Sequence, residues 1–235
     1  MAKTKKKIKE EVSLTGIAAR FRGFLPVVID VETAGFNHKT DALLEVAATL
    51  LRMDEQGDLI CCETYAYNVE PFKGANLDPA ALKFTGINPF NPFRMNKPED
   101  FVLKEIFRPI RSELKATGCT RAILVGHNPT FDLNFINAAI ERNQIKRNPF
   151  HKFSTFDTAT LGGLAYGQTV LSRAAQASGL EWDDEKAHSA KYDTEQTAEL
   201  FCRIINHWHK LERLEKSSTE PSGEHSDEHS TEQRP

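Results

Sequence analysis

Short unbroken apolar runs alternate with longer amphipathic stretches along this chain, and the two patterns predict different elements. Residues 25–29 (Leu-Pro-Val-Val-Ile) are five apolar residues in a row, the pattern of a strand buried on both faces. Residues 42–51 and 62–69 predict two further strands, with Gln56-Gly57 turning between them. Residues 78–84 predict a short helix capped by Asp78, with Pro79 at its first position. A longer amphipathic helix is expected over 98–116 and a buried strand over 121–125. A helix over 129–142 follows, with Asn128 as its cap. Shorter helices are expected over 158–164 and 170–178, and a long final one over 189–211. Three strands in a meander followed by alternating helix and strand make an α/β domain. Its mixed β-sheet has an antiparallel meander plus parallel strands and is flanked by α-helices.

Composition sets the limits of that domain. With 235 residues, 40% of them hydrophobic, the chain supports one core of roughly 200 residues plus tails. Residues 14–213 are expected to fold, residues 1–13 to form a flexible basic arm, and residues 214–235 to form a disordered polar tail, almost free of apolar side chains from Ser217 on. No apolar run approaches the roughly 18 residues of a membrane span, and the lysine-rich start lacks the apolar stretch of a secretory signal. Cys61, Cys62, Cys119 and Cys202 form no CxxC pair and are read as reduced thiols, so a cytoplasmic location is expected. The net charge is −3. A polyanionic partner would therefore be gripped by local basic patches and not by a global field.

Acidic residues carry the chemistry. Asp30 and Glu32 follow the first apolar run at strand spacing, so both point to one side. Alone, such a pair is common on protein surfaces; at the end of a buried strand the two carboxylates repel unless a hard cation such as Mg²⁺ or Mn²⁺ lies between them. Asp132 falls in the first turn of the helix that follows the next apolar strand, where the helix dipole alone would also favour an acid. Asp157 is expected mainly to cap a helix. His188 precedes the last helix, with Ser189 as cap, and Asp193 lies in its first turn. A histidine on a mobile loop can swing toward a water while a helical carboxylate holds a cation.

The ordered set Asp30-x-Glu32, Asp132 and His188-x₄-Asp193 resembles the DEDDh exonuclease family. The stretches 22–24, 27–36, 147–151, 155–158 and 167–170 resemble the branch of it that trims RNA 3′ ends, and the likeness runs over residues 14–211. The resemblance implies a ribonuclease H-like fold and a two-metal site in which Asp30, Glu32, Asp132 and Asp193 hold two Mg²⁺ ions, with Mn²⁺ as a substitute. It implies His188 as general base, a role open to a neutral imidazole near pH 7. Phe36, Phe84, Phe131 and Phe153 would stack on terminal bases. Arg20, Arg22, Lys115, Arg121 and Lys146 would form a patch feeding RNA to the other subunit of a homodimer. The expected activity is 3′→5′ exoribonuclease trimming of short single-stranded 3′ ends of tRNA and rRNA precursors, releasing 5′-monophosphates. Alternatives are a single-stranded DNA exonuclease in proofreading or repair, a phosphohydrolase acting on nucleotides, and a non-catalytic nucleic-acid or protein-binding module. One departure stands out: four positions before Phe84 is Ala80, where the resembled family carries an acid, so that family's base preference does not transfer directly.

Overall fold

The computed structural model describes residues 15–219. In chain order the elements are α1 (Gly16–Arg20), β1 (Phe24–Thr33), β2 (Leu43–Met53), β3 (Leu59–Asn68), α2 (Pro79–Thr85), a 3₁₀ turn (Pro92–Arg94), α3 (Glu99–Thr117), β4 (Arg121–Gly126), α4 (Thr130–Arg142), β5 (Phe150–Asp157), α5 (Thr158–Tyr166), α6 (Leu171–Ala177) and α7 (Ala190–Thr219). The five strands form one sheet in the order β3-β2-β1-β4-β5. β1 runs antiparallel to β2 and parallel to β4, and β4 runs parallel to β5. This is the mixed sheet expected from the sequence.

Position in the sheet explains the sequence pattern. β1 has a neighbour on each edge and helices on its faces, so Leu25, Val27, Val28 and Ile29 are all buried, an arrangement that needs an unbroken apolar run. β3 is an edge strand and, apart from Leu59, is only partly buried or exposed along its length. Its hairpin with β2 closes at Gln56-Gly57, where Asp54 Oδ1 accepts from the amides of Gln56 and Asp58. α7 lies across β1, β2 and β3, and the Asn206 amide clamps the edge by bonding both the N–H and the C=O of Leu59. Glu99 at the start of α3 takes two hydrogen bonds from Arg142 and one from Asn143, locking α3 to the end of α4.

Four local expectations change. β5 carries His, Lys and Ser among its apolar residues, a pattern too polar to announce a strand, yet pairing with β4 makes it one. α1 is a five-residue helix that no periodicity marks. Asn128 does not cap α4: its backbone is left-handed (φ 64), Pro129 takes the cap position, and no side chain caps the helix. α7 continues through Thr219, six residues into the segment expected to be tail. The basic arm and the remainder of the tail lie outside the described residues.

Candidate active site

Four carboxylates converge beyond the end of β4, where β1 outruns its parallel neighbour. Pairing of β1 with β4 ends at Val28↔Val125, and Asp30 and Glu32 extend past it on one face of β1. Asp132 comes from the first turn of α4 and is 4% exposed. Its Oδ1 accepts from the Val31 amide at 3.0 Å. Asp193 comes from the first turn of α7. Single ligand atoms of Glu32, His188 and Asp193 lie within 4.8 Å of one another.

Burial and mutual repulsion make these acids reluctant to ionise. Burial pushes Asp30 well above the usual carboxylate range, and the charges of Asp132, Asp193, Glu32 and Glu45 push it further. Burial, then Asp193, Glu45 and Asp132, raise Glu32 to about 8. Asp132 is raised to about 8 by burial against the opposing effect of backbone hydrogen bonds. Asp193 is raised to about 6, again by burial, with the backbone N–H and the charge of His188 opposing. Asp193 Oδ1 is buried and has no hydrogen-bond partner among the described residues. Crowded carboxylates with an orphaned buried oxygen are a donor set suited to a hard divalent cation.

His188 is exposed on the loop before α7, in a left-handed conformation (φ 63), and its N–H donates to Asp193 Oδ2 at 3.2 Å. Its ring packs 4.6 Å from that of Phe84, centroid to centroid.

An open cavity of about 390 Å³ adjoins the carboxylates, lined by Glu32, Phe36, Phe84 and Phe131 among others. Phe36 is 86% exposed at the tip of the loop after β1 and meets the edge of Phe131, their centroids 6.2 Å apart. Asp41 shapes that loop: its carboxylate accepts from Asn37 N, Thr40 Oγ1 and Asn76 Nδ2. Gly35 (φ 155) passes so near it that a Cβ there would lie 2.0 Å from Asp41 Oδ2. Ala80 lines the same cavity, and the acid beside it, Asp78, is committed to capping α2 through the Ala80 amide.

Not every sequence candidate gathers here. Phe153 is exposed where β5 advances five positions, from Phe150 to Thr155, while β4 advances two, from Ala122 to Leu124, and it packs on His151, outside the cavity. Arg121, paired with Phe24, and Arg22 lie at the opposite end of β1, with Lys115 at the end of α3 and Lys146 between α4 and β5. Six steps along β1 separate Phe24 from Asp30, roughly 20 Å. Arg20, also at that end, pairs with Glu212 of α7 at 3.0 Å. Asp157 caps α5 as expected, accepting from Ala159 N, and also accepts from Asn128 N. Sequence reasoning missed Glu45, which stands opposite Glu32 on β2. Its signal was a lone acid inside the apolar run 42–51.

An exonuclease family model, RNase T, matches residues 27–201, a span holding all four carboxylates and His188. The chain belongs to the RNase T exonuclease family. Ribonuclease T of Hahella chejuensis (strain KCTC 2396) is 63% identical over 195 residues, 83% of this chain and 89% of that protein. Among solved structures, E. coli exonuclease I in complex with a dT13 oligonucleotide superposes with a TM-score of 0.60 at 20% identity, covering 81% of this chain. A product-bound structure of exonuclease I gives 0.58 at 18% identity over 83% of this chain. The chain spans under half the length of exonuclease I, 43% and 46% in these two structures, so that likeness speaks for the fold. As an RNase T-family exonuclease, the protein is a hydrolase of nucleic-acid phosphodiesters, and its carboxylate cluster can hold a metal ion. No helix among the described residues is long and apolar enough to cross a membrane.

Proposed function

We propose that this exonuclease removes nucleotides 3′→5′ from short single-stranded ends of structured RNAs, the tRNA and rRNA precursors, releasing 5′-monophosphates. The observation that carries the reading is the union of four convergent carboxylates with an aromatic-lined cavity that shares Glu32. The ribonuclease relative supports RNA as the substrate.

Asp30, Glu32, Asp132 and Asp193 would hold two Mg²⁺ ions, with Mn²⁺ as a substitute. Bound there, such ions would supply charge stabilisation at the attacking and leaving oxygens of the phosphodiester. His188, on its exposed loop, takes the proton of the attacking water, and Asp193 orients that loop through the His188 N–H. Phe36, Phe84 and Phe131 stack on the terminal bases and hold the scissile phosphate over the acids. Phe153, on β5, belongs to the path of the strand outside this cavity. The position of the basic residues at the far end of the sheet fits a homodimer, in which the patch of one copy delivers RNA to the site of the other. Thiol usage fits the cytoplasm.

The test is a hairpin RNA with a short 3′ overhang, incubated with the enzyme in Mg²⁺ or in chelator and sized on a gel, beside its deoxy counterpart. Stepwise loss of single nucleotides that halts near the duplex, only with Mg²⁺, is expected. Internal cleavage, 5′ trimming or full activity in chelator would refute the reading, and a preference for the deoxy strand would move it to DNA.

A further inference from the structure

Glu45 poses a problem for the fold. It is paired directly with Glu32 across the β1–β2 ladder, and like charges in that relation destabilise a sheet. It also adds to the charge that burdens Asp30 and Glu32. The structure shows how its carboxylate is occupied. Oε1 accepts from Arg94 Nη2 at 3.0 Å, and Oε2 accepts from the Ala190 amide at 3.4 Å. Arg94 closes the 3₁₀ turn, has a side chain only 11% exposed, and also donates to Leu44 O and Asn68 Oδ1. Asn68 returns a bond to Arg94 O.

Ala190 is the first residue of α7, and its N–H is one of the donors that a helix leaves without an internal partner. Two residues before it stands His188; three after it stands Asp193. A carboxylate fixed on the sheet therefore grips the end of the helix that delivers one acid, and the loop that delivers the imidazole. The negative charge also suits the positive end of the helix dipole.

We infer that Glu45, held by Arg94, is a positioning residue that pins the first turn of α7 to the sheet and so sets where Asp193 and His188 stand relative to Asp30 and Glu32. This rests on the exonuclease reading for its catalytic consequence only. Arg94 does two things at once: it aims the Glu45 carboxylate at the helix, and it neutralises a charge that would otherwise compete with the cluster beside it.

The alternative is that the pair acts through space, by its charge alone. The two accounts differ in sign. As pure charges, Glu45→Gln and Arg94→Ala would move the site in opposite directions, because one removes a negative charge and the other a positive one. As a pin, both variants release the same helix end and move it the same way.

The experiment measures backbone hydrogen exchange of the full chain in chelator, together with kcat and KM on a single-stranded oligonucleotide in saturating Mn²⁺. Both variants are expected to speed exchange over residues 189–193 at least tenfold while leaving residues 200–204 unchanged. Both are expected to lower kcat about tenfold with KM within twofold, and Arg94→Lys recovers most of each effect. Glu45→Gln, nearly isosteric, carries the test by itself where Arg94→Ala does not fold. Exchange at the wild-type rate over 189–193 overturns the inference. So does faster exchange with wild-type kcat, or kcat rising in one variant and falling in the other. The exchange measurement needs neither metal nor nucleic acid, so a failure of the exonuclease reading leaves it standing and is told apart from a failure of the pin.

Discussion

The main-chain N–H of Val31 donates to the carboxylate of Asp132 at 3.0 Å. Val31 lies between Asp30 and Glu32 and beyond the last residue pair that β1 makes with β4, so a side chain from α4 takes over where strand pairing stops. One hydrogen bond thus satisfies a buried amide and locks the third acid against the first two. It occupies Oδ1 of Asp132.

Removing a single acid should end catalysis without loss of fold. Asp30→Asn and Asp193→Asn are each expected to lower kcat about a thousandfold, since cation stabilisation at the reacting phosphate is worth several kcal/mol. Circular dichroism and melting temperature should stay at or above the wild-type values. Near-normal cleavage by either variant would contradict the assignment.

The raised acids give the metal-free protein an inverted pH dependence. Glu32 and Asp132 titrate near 8 when folded, and Asp193 near 6, against about 4 in the unfolded chain. The folded state therefore binds more protons between pH 4 and 8, and stability falls as pH rises through that window. In chelator the melting temperature should drop from pH 5 to pH 8, Mg²⁺ or Mn²⁺ should restore it, and cation binding should release protons. Glu32→Gln should raise the metal-free melting temperature at pH 8 by on the order of 5 °C. A flat profile in chelator would count against the crowding of these groups.

Phe36 offers a clean test of stacking, because it is almost wholly exposed and supports little else. Phe36→Ala should raise KM for an oligonucleotide about tenfold, the loss of one base–aromatic stack, with an unchanged melting temperature. Phe131→Ala should do the same and also destabilise the fold, since its ring packs 5.0 Å from the buried ring of Phe135. Unchanged KM in both would remove the cavity from substrate binding.

Lys146→Ala should weaken RNA binding and reduce the slope of log affinity against log salt by about one. Arg20→Ala should act in the same direction but less, because Arg20 must leave Glu212 before it meets a phosphate. Salt slopes equal to wild type in both variants would show that this end of the sheet does not touch RNA.

Much of this arrangement is legible in the sequence because its signals are local. The apolar run before Asp30 marks the central strand, strand periodicity puts Asp30 and Glu32 on one side, and Asp78 with Pro79 starts α2. What escaped depends on partners distant in the chain. β5 is a strand only because β4 offers it an edge. Glu45 matters because of Glu32, Arg94 and Ala190, none of them near it in sequence. Asn128 has the right side chain for a cap, but the turn into α4 takes a left-handed residue there and hands the cap position to Pro129.

The last of the four acids sits on the last helix among the described residues, and that helix lies across three strands made long before it. A ribosome must therefore pass residue 193 before Asp193 can join Asp30, Glu32 and Asp132. Until then a nascent chain carries three of the four acids, so the order of synthesis makes this cluster one of the last parts of the domain to assemble.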